Sequence, residues 1–303
     1  MRLSRTLALG ASLLVLLSAC ATGEGSKPTI KIGSVGFDEA RVVAEIYAQA
    51  LEANGYTVDR AGIGLGARKV LLPALESGQI DLQPEYIGSG LASGYGGTST
   101  SDPDTNRTEL QRVLDGKGGG ITVLDYTPAQ DTNALVVRQE TADEYNLTTW
   151  GDLAAVQDEL KWALATDCPT NPVCAKALKD VYGIDPQDVT LLDACSTPMA
   201  DALLNKTVDV AELCSTGPEI IVNGWVRLED DKGTQPAENI APLVRNDYLA
   251  KVDKAAFSKI LNDVSAKIDT ATLAQLYYDV AVGLKDIKDV AADWLKANGF
   301  VTS

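Results

Sequence analysis

From Thr29 onward the chain repeats one pattern: a short apolar run, a longer stretch with apolar residues three and four apart, then a Gly or Asn stop. Ile30 to Gly33 predicts a first strand. Asp38 to Asn54 predicts a helix with Val42, Val43, Ile46, Tyr47, Ala50 and Leu51 on one face, ended by Asn54-Gly55. Tyr56 to Arg60 predicts a second strand, and the run Gly62, Gly64, Gly66 leads into a helix holding Val70, Leu71 and Leu75. In Gly78 to Gly90, Ile80 and Leu82 predict a buried strand that runs into a Pro84-Glu85-Tyr86 turn and a small-residue segment. A carboxylate and a ring would then stand at a strand's C-terminal end, where open α/β sheets hold ligands. Gly94 to Asp104 predicts a surface loop, Glu109 to Leu114 a helix and Ile121 to Asp125 a strand.

Ala134 to Arg138 is echoed by Ala241 to Arg245, about a hundred residues later. Two such strands enclosing a self-contained α/β segment predict two crossings between lobes. The enclosed part holds a helix near Trp150 to Leu160, a strand at Lys161 to Ala165, a helix at Val173 to Tyr182, strands at Val189 to Leu192 and Val208 to Leu213, and a helix at Pro198 to Leu204. Asp253 to Asn298 is helical in pattern. The expected fold is α/β with mainly parallel sheets: two Rossmann-like lobes joined by two crossing strands. Residues 29–133 and 239–303 make a discontinuous lobe 1, and residues 134–238 make lobe 2. The cleft between them is the default ligand site.

The first nineteen residues stand apart. Arg2 and Arg5 precede an apolar run from Leu7 to Leu17, followed by Leu17-Ser18-Ala19-Cys20, which reads as a bacterial secretion leader. The same four residues resemble a lipobox, which implies cleavage before Cys20, lipid on its sulfur and a lipidated tether at residues 20–28. The protein is expected on the extracytoplasmic face of the cell membrane, held there by lipid alone.

Charge and chemistry narrow the classes further. The formal charge is −16, and loss of Arg2 and Arg5 with the leader makes it more negative by two. No nucleic-acid partner is expected. The chain has no histidine, which excludes catalytic triads with a His base and His-metal sites. The glycine run lacks GxGxxG spacing and a Lys-Ser/Thr pair, so no nucleotide or other cofactor is expected. Apart from Cys20 there are four cysteines, an even number in an exported protein, and three pairings are possible. Cys168 and Cys174 bracket a short loop, while Cys195 and Cys214 each follow an apolar strand, so the chosen bridges are Cys168–Cys174 and Cys195–Cys214. A four-thiolate metal site is the alternative, against which the ligand spacing speaks. An enzyme using Glu85 or Asp131 as general base is the competing class, without nucleophile or metal to support it.

Several stretches together resemble the substrate-binding proteins of glycine betaine, choline and osmoprotectant ABC importers: Ile32-Gly33-Ser34 with Phe37, the run Gly78 to Ser89, Leu228 to Lys232, and Ala241 to Arg245. The resemblance implies a type II periplasmic-binding-protein fold that closes on a small solute and delivers it to a permease driven by a cytoplasmic ATPase. A monomer is expected. It also implies a cage of tyrosines around a trimethylammonium group. Tyr86 matches the first of these and Asp131 a polar pocket residue, but Asn133, Cys214 and Glu238 stand where further tyrosines are expected. A non-quaternary amine or polyhydroxylated solute is therefore the alternative ligand. The candidate ligand residues are Ser34, Glu85, Tyr86, Asp131, Asn133, Ser215, Thr216 and Glu238. Several have an ordinary structural role open to them as well: Arg68 as ion-pair partner for Glu85, and helix capping for Ser34, Ser215 and Thr216.

Overall fold

The computed structural model describes residues 27–118 and 120–301. The leader, Cys20 and most of the expected tether lie outside the described residues.

Ten strands are described: β1 (Ile30–Val35), β2 (Val58–Gly66), β3 (Leu82–Tyr86), β4 (Ile121–Val123), β5 (Asn133–Val137), β6 (Trp162–Ala165), β7 (Val189–Leu192), β8 (Val210–Cys214), β9 (Val226–Arg227) and β10 (Ile240–Arg245). They form two five-stranded sheets, ordered β2-β1-β3-β10-β4 and β7-β6-β8-β5-β9. In each, three strands run parallel and the fourth returns antiparallel. The sheets are thus mixed rather than mainly parallel. The antiparallel strands are the two echoing segments: β5 lies wholly in the second sheet and β10 wholly in the first. Neither crosses between lobes. The crossings are the short segments just before them, where Gln130 and Asn239 form an antiparallel bridge.

Both faces of the first sheet are covered. Ile240 and Val244 of β10 turn toward a core made with α1 (Asp38–Ala53) and the helices Lys254–Ser265, Thr270–Ala281 and Ile287–Ala297. Ala241 and Leu243, on the alternate face, meet α2 (Arg68–Ser77) and the helix Pro103–Gly116. The second sheet alternates likewise: Leu135 and Val137 pack on Trp150, Trp162 and Leu178, while Ala134 and Val136 pack on Met199, Leu203 and Trp225.

Three local expectations change. The glycine run is strand, not connection: Gly62 lies inside β2, where a Cβ would stand 2.8 Å from the Ile32 carbonyl oxygen, and Gly64 adopts φ +75°. Pro84-Glu85-Tyr86 is also strand rather than turn, because β10 supplies a ladder from Val244 opposite Leu82 to Ile240 opposite Tyr86. The predicted helix over Val173 to Tyr182 is broken into Ala175–Ala177 and a wider turn at Leu178–Tyr182.

Candidate functional site

Where the two crossings run side by side, the Asp131 N–H donates to the Glu238 carbonyl oxygen at 3.3 Å. Beside them opens a cavity of about 400 Å³. Phe37, Arg68, Tyr86 and Ser89 wall it from the first lobe, Asp131, Thr132 and Glu238 from the crossings, and Asn133, Val173 and Gln235 from the second lobe.

Tyr86 is the last residue of β3, and its buried hydroxyl donates to Glu39 on the first turn of α1. Phe37 stands just ahead of α1, 46% exposed, with its ring centroid 5.9 Å from that of Tyr86. Asp131 accepts from the Thr216 N–H at 3.3 Å and lies 3.5 Å from the Ser215 hydroxyl, which ties the first crossing to the end of β8. Glu238 accepts from both the N–H and the hydroxyl of Ser89, at 2.9 and 2.8 Å. Gln235 is held by its own N–H on Asp230 and by its amide on the Val173 carbonyl. Asp230 and Asp231 also accept from Thr234 and the Gly151 N–H. The Leu228 to Lys232 motif therefore holds the loop that presents Gln235.

The electrostatics are set first by burial, with Arg68 and Arg227 offsetting only part of it at Glu238 and Asp131. Desolvation, then the nearby Asp131 carboxyl, pushes Glu39 up to about 8. Burial also raises Asp131, against hydrogen bonding from Thr216 and Ser215. The Thr216 hydroxyl lies near both carboxyls yet is aligned for a hydrogen bond with neither, and Glu39 Oε2 has no partner. Glu238 is raised to about 7 by burial, softened by its two bonds from Ser89. Tyr86 is held well above its usual value by burial and by Glu39.

The candidate residues divide into three groups. Tyr86, Asp131, Asn133 and Glu238 line the cavity. Ser215 lines an adjoining hollow that shares Thr132, Asn133 and Gln235 with it. Ser34, Glu85 and Thr216 line neither. Ser34 is fully buried, donating to the Val35 carbonyl and accepting from the Gly64 N–H. Glu85 is saturated by Arg68, Gln83 and the Tyr86 N–H, and acts on the cavity only through Arg68, 2.9 Å away. Phe37 stands beside Tyr86, and Tyr277 lines a second hollow that shares Phe37 and Asp131 with the cavity.

Both disulfides are formed as chosen, Cys168 with Cys174 and Cys195 with Cys214. Cys195 reaches its partner from a turn at φ +55°, three residues past the end of β7, rather than from a strand end. Cys168 and Cys174 do lie beside Glu212, but bonded sulfurs offer no thiolate to a metal.

Glu39, Gln235 and Tyr277 escaped the sequence reading. Glu39 had a visible signal: with Val42, Val43 and Ile46 it continues the apolar stripe of α1, an acid where the pattern calls for a buried residue. Gln235 had none, because its place depends on a loop fold set by distant partners.

Two mixed α/β lobes joined by adjacent crossings, with aromatic and polar walls facing one cleft, define a two-lobed solute-binding protein. Residues 28–297 match the family described as the substrate binding domain of ABC-type glycine betaine transport system, and the chain belongs to that family. The glycine betaine-binding protein YehZ of Escherichia coli (strain K12) is 30% identical over 304 residues, covering 97% of this chain and 98% of that protein. The carnitine transport binding protein OpuCC of Listeria monocytogenes is 27% identical over 248 residues, 78% of each chain. The structure of apo YehZ from Escherichia coli matches with a TM-score of 0.79 at 28% identity, covering 90% of this chain and 99% of that one. Family members are extracytoplasmic binding proteins that serve a permease, not enzymes. Among the described residues no helix is long and apolar enough to cross a membrane.

Proposed function

We propose that the protein captures a small osmoprotectant bearing a quaternary ammonium group, of the glycine betaine, choline or carnitine class, by closing its lobes over the cavity at the crossings. The observation that carries this is a cavity walled by both lobes that combines aromatic and acidic groups, Phe37, Tyr86 and Asp131, with polar donors. A quaternary ammonium has no N–H to donate, so ring faces and nearby carboxylates must supply its attraction, about 0.5–2 kcal/mol per cation–π contact. Arg68, Asn133 and Gln235 are the donors for a carboxylate or hydroxyl at the other end of the solute. What YehZ and OpuCC are named for binding supports the same class.

The solute passes unchanged to a permease driven by an ATPase, and the monomer stays at the membrane through lipid on Cys20. Calorimetric titration with glycine betaine, choline, carnitine, proline betaine and ergothioneine tests the ligand class. Micromolar binding of at least one trimethylammonium compound is expected, and saturable binding of amines or polyols alone overturns the reading. Nuclear magnetic resonance of the solute after long incubation should recover it unaltered.

A further inference from the structure

Behind Phe37 and Asp131 lies the second hollow, of about 230 Å³, whose walls include Glu39, Glu219, Tyr277 and the Cys195–Cys214 bridge. Three of its wall residues are carboxylic acids, and no cation pairs with Glu39, Asp131 or Glu219 among the described residues. Arg227 attracts Asp131 only at longer range. Glu39 is 1% exposed, and while its Oε1 accepts from Tyr86, its Oε2 has no hydrogen-bond partner. A buried carboxyl oxygen left unmatched in this way costs about 1–3 kcal/mol or more; the chain offers it only the uncharged Thr216 hydroxyl, which stands near without bonding, so a counter-charge for the three acids must come from outside the chain.

The geometry of the acids says what. A metal ion draws its oxygens to within about 2.0–2.6 Å of one point, and the carboxyl oxygens of Glu39, Asp131 and Glu219 do not converge as a metal-ligand group does. They are spread around a hollow that also carries the rings of Phe37 and Tyr277. Spread carboxyls with aromatic walls suit a cation that is large, poorly hydrated and covered in methyl or methylene groups.

We propose that this hollow is the subsite for the cationic end of the solute, an alkylammonium group, and that its entry displaces to solvent one proton carried by the Glu39 and Asp131 carboxyls. The inference rests on the ligand class given above and adds to it the place of the charged end and a coupled proton. The exchange balances: the pair gives up H⁺, the cation brings one positive charge, and the buried site gains no net charge.

The groups facing Glu39 are all acidic or neutral. They are Tyr86 from β3, Asp131 from the first crossing, Thr216 just past β8, Glu219 from the helix Pro218–Asn223 and Tyr277 from the helix Thr270–Ala281. Asp38 on its own helix is paired with Arg41, and Glu85 behind Tyr86 is paired with Arg68. Burial holds the Glu39 proton up to about pH 8 in the free protein. A bound cation lowers that affinity for the proton, so cation and proton compete. Solute affinity therefore rises with pH through the range from about 6 to 8, by up to about tenfold per unit for one exchanged proton, and levels off above it.

The test is calorimetric titration of choline chloride at several pH values between 6 and 9, each in two buffers of different ionisation heat, which counts protons released. Close to one proton should leave per choline bound at pH 7. In Glu39→Gln the count should fall to zero, affinity should become independent of pH, and binding at pH 8 should weaken tenfold or more. Glu212→Gln should keep the released proton, since Glu212 is buried beside the Cys168–Cys174 bridge and lines neither hollow. Circular dichroism and a melting curve establish that Glu39→Gln is folded. If it is not, Glu219→Gln and Tyr277→Ala, at half-buried positions, should each weaken choline threefold or more. Choline binding with a flat pH profile, proton release that survives Glu39→Gln, or no loss in the Glu219 and Tyr277 variants overturns this inference alone. Calcium chloride binding there in place of choline overturns it as well. Failure of choline and every other trimethylammonium solute to bind at any pH removes the ligand class along with it.

Discussion

The two lobes share one sheet plan and reach stability by different means. Each has three parallel strands followed by an antiparallel fourth, and in each that fourth strand comes from across the chain's midpoint of connection: β10 after the second lobe, β5 before the rest of it. The first sheet is sandwiched by long helices, with α1 running sixteen residues and the helices Lys254–Ser265 and Thr270–Ala281 twelve each. The second is covered by short pieces such as Trp150–Leu153 and Ala175–Ala177, and no residue of its edge strand β7 is buried. Both disulfides lie in that second lobe. A lobe with less apolar surface to bury gains from cross-links that restrict its unfolded chain. The division carries into the site. The first lobe contributes groups fixed by burial, Tyr86 on Glu39 and Arg68 on Glu85. The second contributes Asn133 and Gln235, from strand and loop ends.

Substitutions can break this contrast. Arg68→Ala leaves Glu85 fully buried without its counter-charge and should cost the most, about 3–5 kcal/mol, read as a loss in urea unfolding confined to the first lobe. Replacing Cys195 and Cys214 by serine opens a loop of nineteen residues and should cost about 3 kcal/mol. The same change at Cys168 and Cys174, six residues apart, should cost about 2 kcal/mol. Both cysteine pairs should lower only the second lobe's transition, and equal loss in both lobes would show that their stabilities are not separable.

The smallest effect concerns pH. Glu39 holds its proton to about pH 8 in the folded chain, whereas an unfolded glutamate releases it near 4.5. The folded state thus binds more protons between those values, and stability falls as pH rises through them. Glu39→Gln removes that loss, so without solute its stability relative to the parent should grow by about 1 kcal/mol between pH 7 and pH 8, a shift of about 2 °C in Tm for a chain of this size. A gain that is the same at both pH values would mean the benefit is packing, not the proton.

Much of this architecture was legible in the chain. The alternating periods of the first lobe marked its strands and helices, and the echo of Ala134 to Arg138 in Ala241 to Arg245 marked the crossings to within a few residues. What was not legible was which sheet each echoing strand joins, since β3 and β10 meet only after the whole second lobe has intervened. That same pairing turned the expected Pro84-Glu85-Tyr86 turn into strand. The site was half legible. Tyr86, Asp131, Asn133 and Glu238 lie on the cavity, while the polar groups of Ser34 and Glu85 are consumed by neighbours that only the folded chain brings near. Tyr277 was read correctly as helical, but a helix pattern does not say which face meets the other lobe.

The central claim is that both lobes close on a quaternary ammonium solute, and small-angle X-ray scattering tests it most directly. With saturating choline, carnitine or glycine betaine, the radius of gyration should fall by about 1 Å, the scale of a hinge closure in a chain of this size. Profiles that superimpose with and without each of the three would contradict the account.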